Sequence, residues 1–349
     1  MKVLFFVIQC CLPLWWSAQV LSLETLYSDD ISIRAIEIDG DRVWYAGIGS
    51  KMGYVGWKNP TDRLQITLPV EGLEFRTLAR RGDRFHAVSV GAPAYWFTLD
   101  KRTLKAELLE KDTVSTVFYD AFVFRGKRGV ALSDPRKGGV PHVVFVGAKG
   151  KKAEACRIPF YSDGEAHFAA SNTNVAMWGR KVWAVSGGHK ARVFRFRWGK
   201  PCDWEVAETD FVQGSSSQGI YSVDFYRGRF GVAVGGDYTR QQANVNNIAT
   251  SWDGGRTWQI QASGQNVGYM TCVRLRPGSK GREMVAVGDR HISYSGDYGR
   301  TWVKLSDERD LYTFRWVDAD HLVFAGKNKI VRGKLAGWEK LRGYAGVRE

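Results

Sequence analysis

The sequence predicts an all-β fold, a seven-bladed β-propeller of four-stranded antiparallel blades, and three observations carry that prediction. The first is composition: Gly 39 against Pro 9, with aromatics at 13% and 14 Trp in 349 residues. Glycine supplies turn conformations and aromatic side chains favour sheets, so many short strands joined by tight turns are expected. The second is a repeat: Ser251-Trp252-Asp253-Gly254-Gly255-Arg256-Thr257-Trp258 recurs 44 residues later as Ser295-Gly296-Asp297-Tyr298-Gly299-Arg300-Thr301-Trp302. The third is a unit that recurs along the whole chain, an extended segment, a turn, and an apolar strand ending in Gly or a small residue.

In chain order, Met1-Lys2 precedes an apolar run over 3–16 and small residues at Ser17, Ala18 and Ser22. This reads as a signal peptide over 1–22, with cleavage after Ala18 or Ser22. Cys10 follows Gln9 and makes a poor lipoprotein site. No later stretch approaches the ~20 apolar residues a membrane span needs, so the signal peptide is the expected membrane contact. The remainder, 23–349, reads as one propeller. Its turns fall at Gly40, Gly82, Gly126, Gly179, Gly228 and Gly278 to Gly281, with Ala319 in the last unit. Apolar strands follow at 43–47, 85–91, 129–133, 182–187, 230–235, 284–288 and 322–326. Seven units of about 47 residues lie within reach of a four-stranded blade.

The repeat has the pattern S-x-D-x-G-x-T-W and reads as an Asp-box hairpin. Ser251, Asp253, Gly255, Thr257 and Trp258, and again Ser295, Asp297, Gly299, Thr301 and Trp302, are its structural residues. The Asp and hydroxyl side chains bond backbone groups of the turn, Gly takes a conformation other residues resist, and Trp is driven into the packing beneath. Such a hairpin sits on the rim of a blade and implies no chemistry.

A site is expected where the inner strands begin. Six residues before each turn stand Arg34, Arg76, Asp120, Thr173, Ser222, Cys272 with Thr271 beside it, and Thr313. Two arginines and an aspartate on consecutive blades form a cationic notch suited to a carboxylate, a phosphate or a peptide terminus. The competing reading is a wet channel lined by polar residues. Loops on the same face add Asp134 in 133–139, Arg192 in 187–192, Asp237 and Tyr238 in 235–247, and Glu165 with His167 ahead of the fourth blade.

The formal charge of +14 calls for an acidic partner. Nucleic acid is disfavoured by the signal peptide and by the scatter of basic residues. Envelope proteins or acidic polymers are expected instead, with the chain exported to the periplasm or beyond as a monomer. Once the leader is removed, Cys156, Cys202 and Cys272 remain; two of them could pair, and free buried thiols are the simpler expectation. Neither HExxH nor any other metal-ligand spacing occurs, and GxSxG, a strand-to-helix GxGxxG and a P-loop are missing. No cofactor, metal or catalytic residue is therefore assigned. The alternative is a glycan-active hydrolase using two of Asp120, Asp134, Glu165 and Asp237 as paired carboxyls. Arg157-Ile158-Pro159 echoes the R-I-P of sialidases, but it falls too late in the chain.

A resemblance adds to this reading. Phe118-Tyr119-Asp120-Ala121, Gly129 to Pro135, Gly164-Glu165 with Phe168-Ala169-Ala170-Ser171, and Gly235-Gly236-Asp237-Tyr238 ahead of the first Asp box look like bacterial exported propellers related to the plant photosystem II stability/assembly factor, within the sialidase-like superfamily. The similarity covers nearly the whole chain after the leader. It implies a chaperone-like scaffold with an Arg-rich binding face, and ligand contacts at Arg34, Arg76, Asp120, Asp134, Glu165, Ser171, Arg192, Asp237 and Tyr238. The oxidoreductase label that some relatives carry finds no cofactor motif here. The chain departs from the pattern in the early blades, where Thr98 to Thr103 is one residue short and lacks the Gly, and Cys202-Asp203-Trp204 keeps only a Trp. No residue ties it to a photosystem.

Overall fold

A computed structural model describes residues 20–147, 152–154 and 160–337. Residues 1–19 of the expected signal peptide over 1–22, Cys156, Arg157 to Pro159 and the Cys202 side chain lie outside the described part. The described chain is antiparallel β-structure throughout, arranged as a propeller. Strands pair with their sequence neighbours across short turns, as at Gly40, where a φ of 60° lets Asp39 face Arg42.

Four blades have four strands each. They begin with the inner strands Ala79–Arg81, Tyr119–Arg125, Val175–Trp178 and Cys272–Leu275. A fifth blade has six strands, because the short pieces Glu165–Ala166 and Gly187–Gly188 add to the edge of Gln218–Tyr226. The sixth closes the ring in the order Leu311–Trp316, His321–Leu335, Leu21–Asp39, Arg42–Gly47, Lys51–Gly56 and Arg63–Thr67.

This corrects the expected seven blades: counted by hydrogen-bonded sheets, the described residues make six. Leu21–Asp39 is a 19-residue strand that pairs early with His321–Leu335, from Leu21 with Leu335 to Ser32 with Lys327. Its later half pairs with Arg42–Gly47. The first and last units of the sequence therefore share one sheet. Counting turns cannot show this, because the pairing joins opposite ends of the chain.

The core is a ring of wedges between neighbouring blades. Trp44 stacks on Phe85 with centroids 4.4 Å apart, Trp96 meets Tyr119 edge-on at 5.0 Å, and Trp183 stacks on Phe225 at 4.0 Å. Each of these pairs joins successive blades and brings dispersion and area burial beyond what either sheet has alone. Cys272 is buried and free.

The two repeated hairpins are held from within. Asp253 accepts from the Arg256 and Thr257 N–H groups at 2.8 and 3.0 Å, and the Thr257 and Ser251 hydroxyls donate to it. Ser295, Asp297 and Thr301 repeat the pattern, and Trp302, buried below, donates from Nε1 to the Gly299 carbonyl at 2.9 Å. The shortened version keeps part of it: Asp100 Oδ1 accepts from the N–H groups of Arg102 and Thr103.

Candidate functional site: the mouth of the central channel

The inner strands start at one face, and there the sheet register slips. In Leu21–Asp39, Ile33 and Ala35 face consecutive residues Gly47 and Ala46, which leaves Arg34 as an extra residue. The same slip leaves out Asp120 between Tyr119 and Ala121, Tyr221 between Ile220 and Ser222, and Tyr312 between Leu311 and Thr313. A bulge re-aims the side chain of the unpaired residue. Four inner strands use it at the same level of the channel.

Below this level the channel is filled by the chain itself. Residues 169–174 are buried together, and their polar groups bond several blades. Asn172 Nδ2 donates to the carbonyls of Leu78 and Phe122, and its Oδ1 accepts from the Phe122 N–H at 2.7 Å. Ser171 Oγ donates to the Thr271 carbonyl, the Thr313 hydroxyl donates back to the Ser171 carbonyl, and Thr173 Oγ1 donates to Ser222. Thr173, Ser222, Thr271 and Thr313 of the polar register thus belong to a hydrogen-bonded plug, while Arg34, Arg76 and Asp120 do not.

Above the plug stands Arg34. Its guanidinium lies 4.0 Å over the Tyr312 ring, its Nη1 donates to the Ala170 carbonyl at 3.1 Å, and its Nε is buried without a partner. Burial first, and then the neighbouring Arg76, push its pKa below the ordinary arginine value; Tyr312, Tyr269 and Asp289 act the other way. Arg76 donates from Nε to Glu74 at 2.6 Å and reaches over Phe118.

Asp120 is fully buried, and neither carboxyl oxygen has a hydrogen-bond partner. Burial and the charge of Asp134 raise its pKa well above the usual carboxyl range, against a lowering by Arg76. Burial likewise lifts Asp134 to about 6, although its Oδ1 accepts the His167 N–H at 2.8 Å. Asp289 is raised by burial, with Arg34 and a bond from Gln241 opposing.

The other sequence-chosen residues have structural partners. Glu165 is buried and ion-paired: Arg192 Nη2 and Nε donate to it at 2.5 and 3.0 Å, and Ser186 Oγ donates at 2.5 Å. His167 uses both ring nitrogens, on the Val185 carbonyl and the Tyr161 hydroxyl, and burial lowers its pKa to about 4. Asp237 holds its own loop: burial raises its pKa, but hydrogen bonds from Thr239, Ser217 and Arg240 outweigh that and hold it low. Ser171 belongs to the plug, and Tyr238 is 49% exposed at the surface.

Arg34, Arg76, Asp120 and Asp134 are therefore brought together, while Glu165, Arg192, Asp237 and Ser171 serve the frame around them. Sequence reasoning missed Tyr312, Tyr269 and Asp289. Tyr312 had a signal, since it stands beside the polar register position Thr313, as Thr271 stands beside Cys272. Among the described residues no group of three or more His, Cys, Asp or Glu is placed to hold a metal ion.

These features define a propeller with a plugged channel and, at one face, an arginine- and tyrosine-lined mouth. No family model matches the chain, and no curated protein matches it in sequence. Solved structures match in fold. The structure of YCF48 bound to D1 peptide superposes with a TM-score of 0.64 at 14% identity, covering 91% of this chain and 97% of that one. U3-55K gives 0.63 at 12% identity, over 90% and 98%. YCF48 from Cyanidioschyzon merolae gives 0.63 at 10% identity, over 89% and 98%. The likeness is one of fold: this chain is a propeller of the shape YCF48 adopts.

Proposed function

We propose that this chain is a non-catalytic, exported, scaffold-like propeller that binds a protein or an acidic ligand at the mouth of its channel. The observation that carries the proposal is Arg34: a largely buried guanidinium, packed on Tyr312, set beside a second arginine, with Nε unpartnered. Arg76 already has Glu74 as its counter-ion, so the place left for an anion is at Arg34, and a guanidinium fork suits carboxylates. A like-folded propeller solved with a bound peptide supports a protein partner. The net charge of +14 would speed encounter with acidic surfaces.

The finer reading rests on the sequence. The two stapled hairpins are of the Asp-box kind, and the apolar leader directs export. Because Leu21 and Ser22 already pair with Leu335 and Lys334, cleavage after Ala18 leaves the closing strand whole, whereas cleavage after Ser22 shortens it. The mass of the exported chain distinguishes the two.

For the hydrolase alternative, two of the four candidate acids are already engaged, Glu165 by Arg192 and Asp237 by its loop, and Asp120 has no exposed surface. The decisive experiment is capture from the native envelope with the mature chain and with an Arg34→Ala/Arg76→Ala variant, read by mass spectrometry. We expect loss of the captured partner with an unchanged melting temperature; undiminished capture by the folded variant refutes the mouth as the site.

A further inference from the structure

At the other end of the channel the inner strands finish around a second cavity, of about 380 Å³. Arg274 and Arg315 reach it from adjacent inner strands, three residues beyond Thr271 and two beyond Thr313. At about 3.3 Å per strand residue, that puts them past the hydrogen-bonded plug, so the cavity is separate from the mouth above. Each arginine side chain is only 16% exposed.

Neither guanidinium is fully satisfied. Arg274 Nη1 stands 3.9 Å from Asp224 Oδ1, beyond hydrogen-bond distance, and its Nε is buried without a partner. Asp224 is already committed to backbone, accepting the Phe225 and Leu275 N–H groups at 2.9 Å each. Arg315 Nη2 makes one 3.3 Å bond to Glu37, and its Nη1 lacks a partner. Neither guanidinium is held bidentately by a carboxylate, and the two partly exposed groups lining one cavity together present a fork for an oxyanion.

The cavity has an aromatic side as well. Phe124, Trp178 and Trp316 line it, and Trp178 is 38% exposed with the Arg125 guanidinium 4.4 Å from its ring. Arg125 brings the cations lining the cavity to three, against the two acids Glu37 and Asp224.

We propose that this cavity is a binding site for a small planar organic oxyanion, its carboxylate or phosphate group held by Arg274 and Arg315 and its ring against Phe124, Trp178 and Trp316. Glu37, which accepts from Arg315 Nη2, competes with that anion for Arg315. The ligand is neither the partner nor the site proposed for the channel mouth.

The test is calorimetry and tryptophan fluorescence on the whole mature chain with three probes: phenyl phosphate, benzoate and inorganic phosphate. Saturable binding is expected for at least one aryl anion, and the first two probes tell phosphate from carboxylate. Arg274→Gln and Arg315→Gln should each weaken it by about tenfold or more, while Glu37→Gln, which frees Arg315, should tighten it. Arg34→Ala/Arg76→Ala should leave it unchanged, which separates this site from the mouth. If Arg274→Gln does not fold, Arg274→Lys keeps the charge, loses the fork and should still weaken binding. No saturable binding of either aryl anion, inorganic phosphate binding as well as both, or unchanged affinity in a folded Arg274 variant overturns the proposal.

Discussion

Asp134 and Asp120 are carboxyl groups that folding makes harder to ionise. Asp134 has a folded pKa of about 6 against an ordinary value of 3.8. Its native form therefore binds a proton more tightly than its unfolded form. The stability it contributes is present below pH about 4 and is lost as pH rises towards about 6. Asp134→Asn keeps an acceptor for the His167 N–H and removes the titration. In urea unfolding across that range, the variant should lack about 2 kcal/mol of the wild-type decline; an equal slope in both proteins refutes this account. Arg34 and Asp120 were legible in the sequence because each stands six residues before a turn glycine, a spacing set by a single hairpin. Their surroundings were not. Tyr312 meets Arg34 through bulges in two strands nearly 280 residues apart, and no local pattern encodes that meeting.

At the scale of the element, the hairpins are the most transparent part of the chain. Every bond around Asp253 and Asp297 spans four residues or fewer. A motif so local can be read before any fold is known. It is also a rim device, and its loss should be felt as modest destabilisation. Asp253→Ala removes the acceptor for two N–H groups and two hydroxyls, at an exposed turn where water replaces part of what is lost. We expect a cost of about 1–2 kcal/mol in denaturant unfolding, with ligand capture intact. A variant that loses capture while folded would move the binding site to the rim. The shortened hairpin at Asp100 shows that the staple survives without its glycine, which the pattern alone did not suggest.

For the whole molecule, two features depend on residues far apart in sequence: closure of the ring and the plug. Closure pairs Leu21 with Leu335 and makes one sheet of the first and last units, so the number of blades differs from the number of repeats. The plug ties segment 169–174 to strands from across the ring. Asn172→Ala would leave the Phe122 N–H and the Phe122 and Leu78 carbonyls short of these partners in the buried interior. We expect a loss of about 3 kcal/mol in denaturant unfolding. A near-neutral result would mean that water can enter the channel and take over those bonds. What the sequence alone determined about this protein is its β class, its turns, its repeated hairpins and the polar residues six positions before those turns, because each depends on alternation and hydrogen bonds over a few residues. Only the tertiary structure decided the blade count, the plug, the company Arg34 keeps and the second cavity at Arg274 and Arg315. Each of these joins side chains whose separation along the chain runs from tens to hundreds of residues, and only packing brings them together.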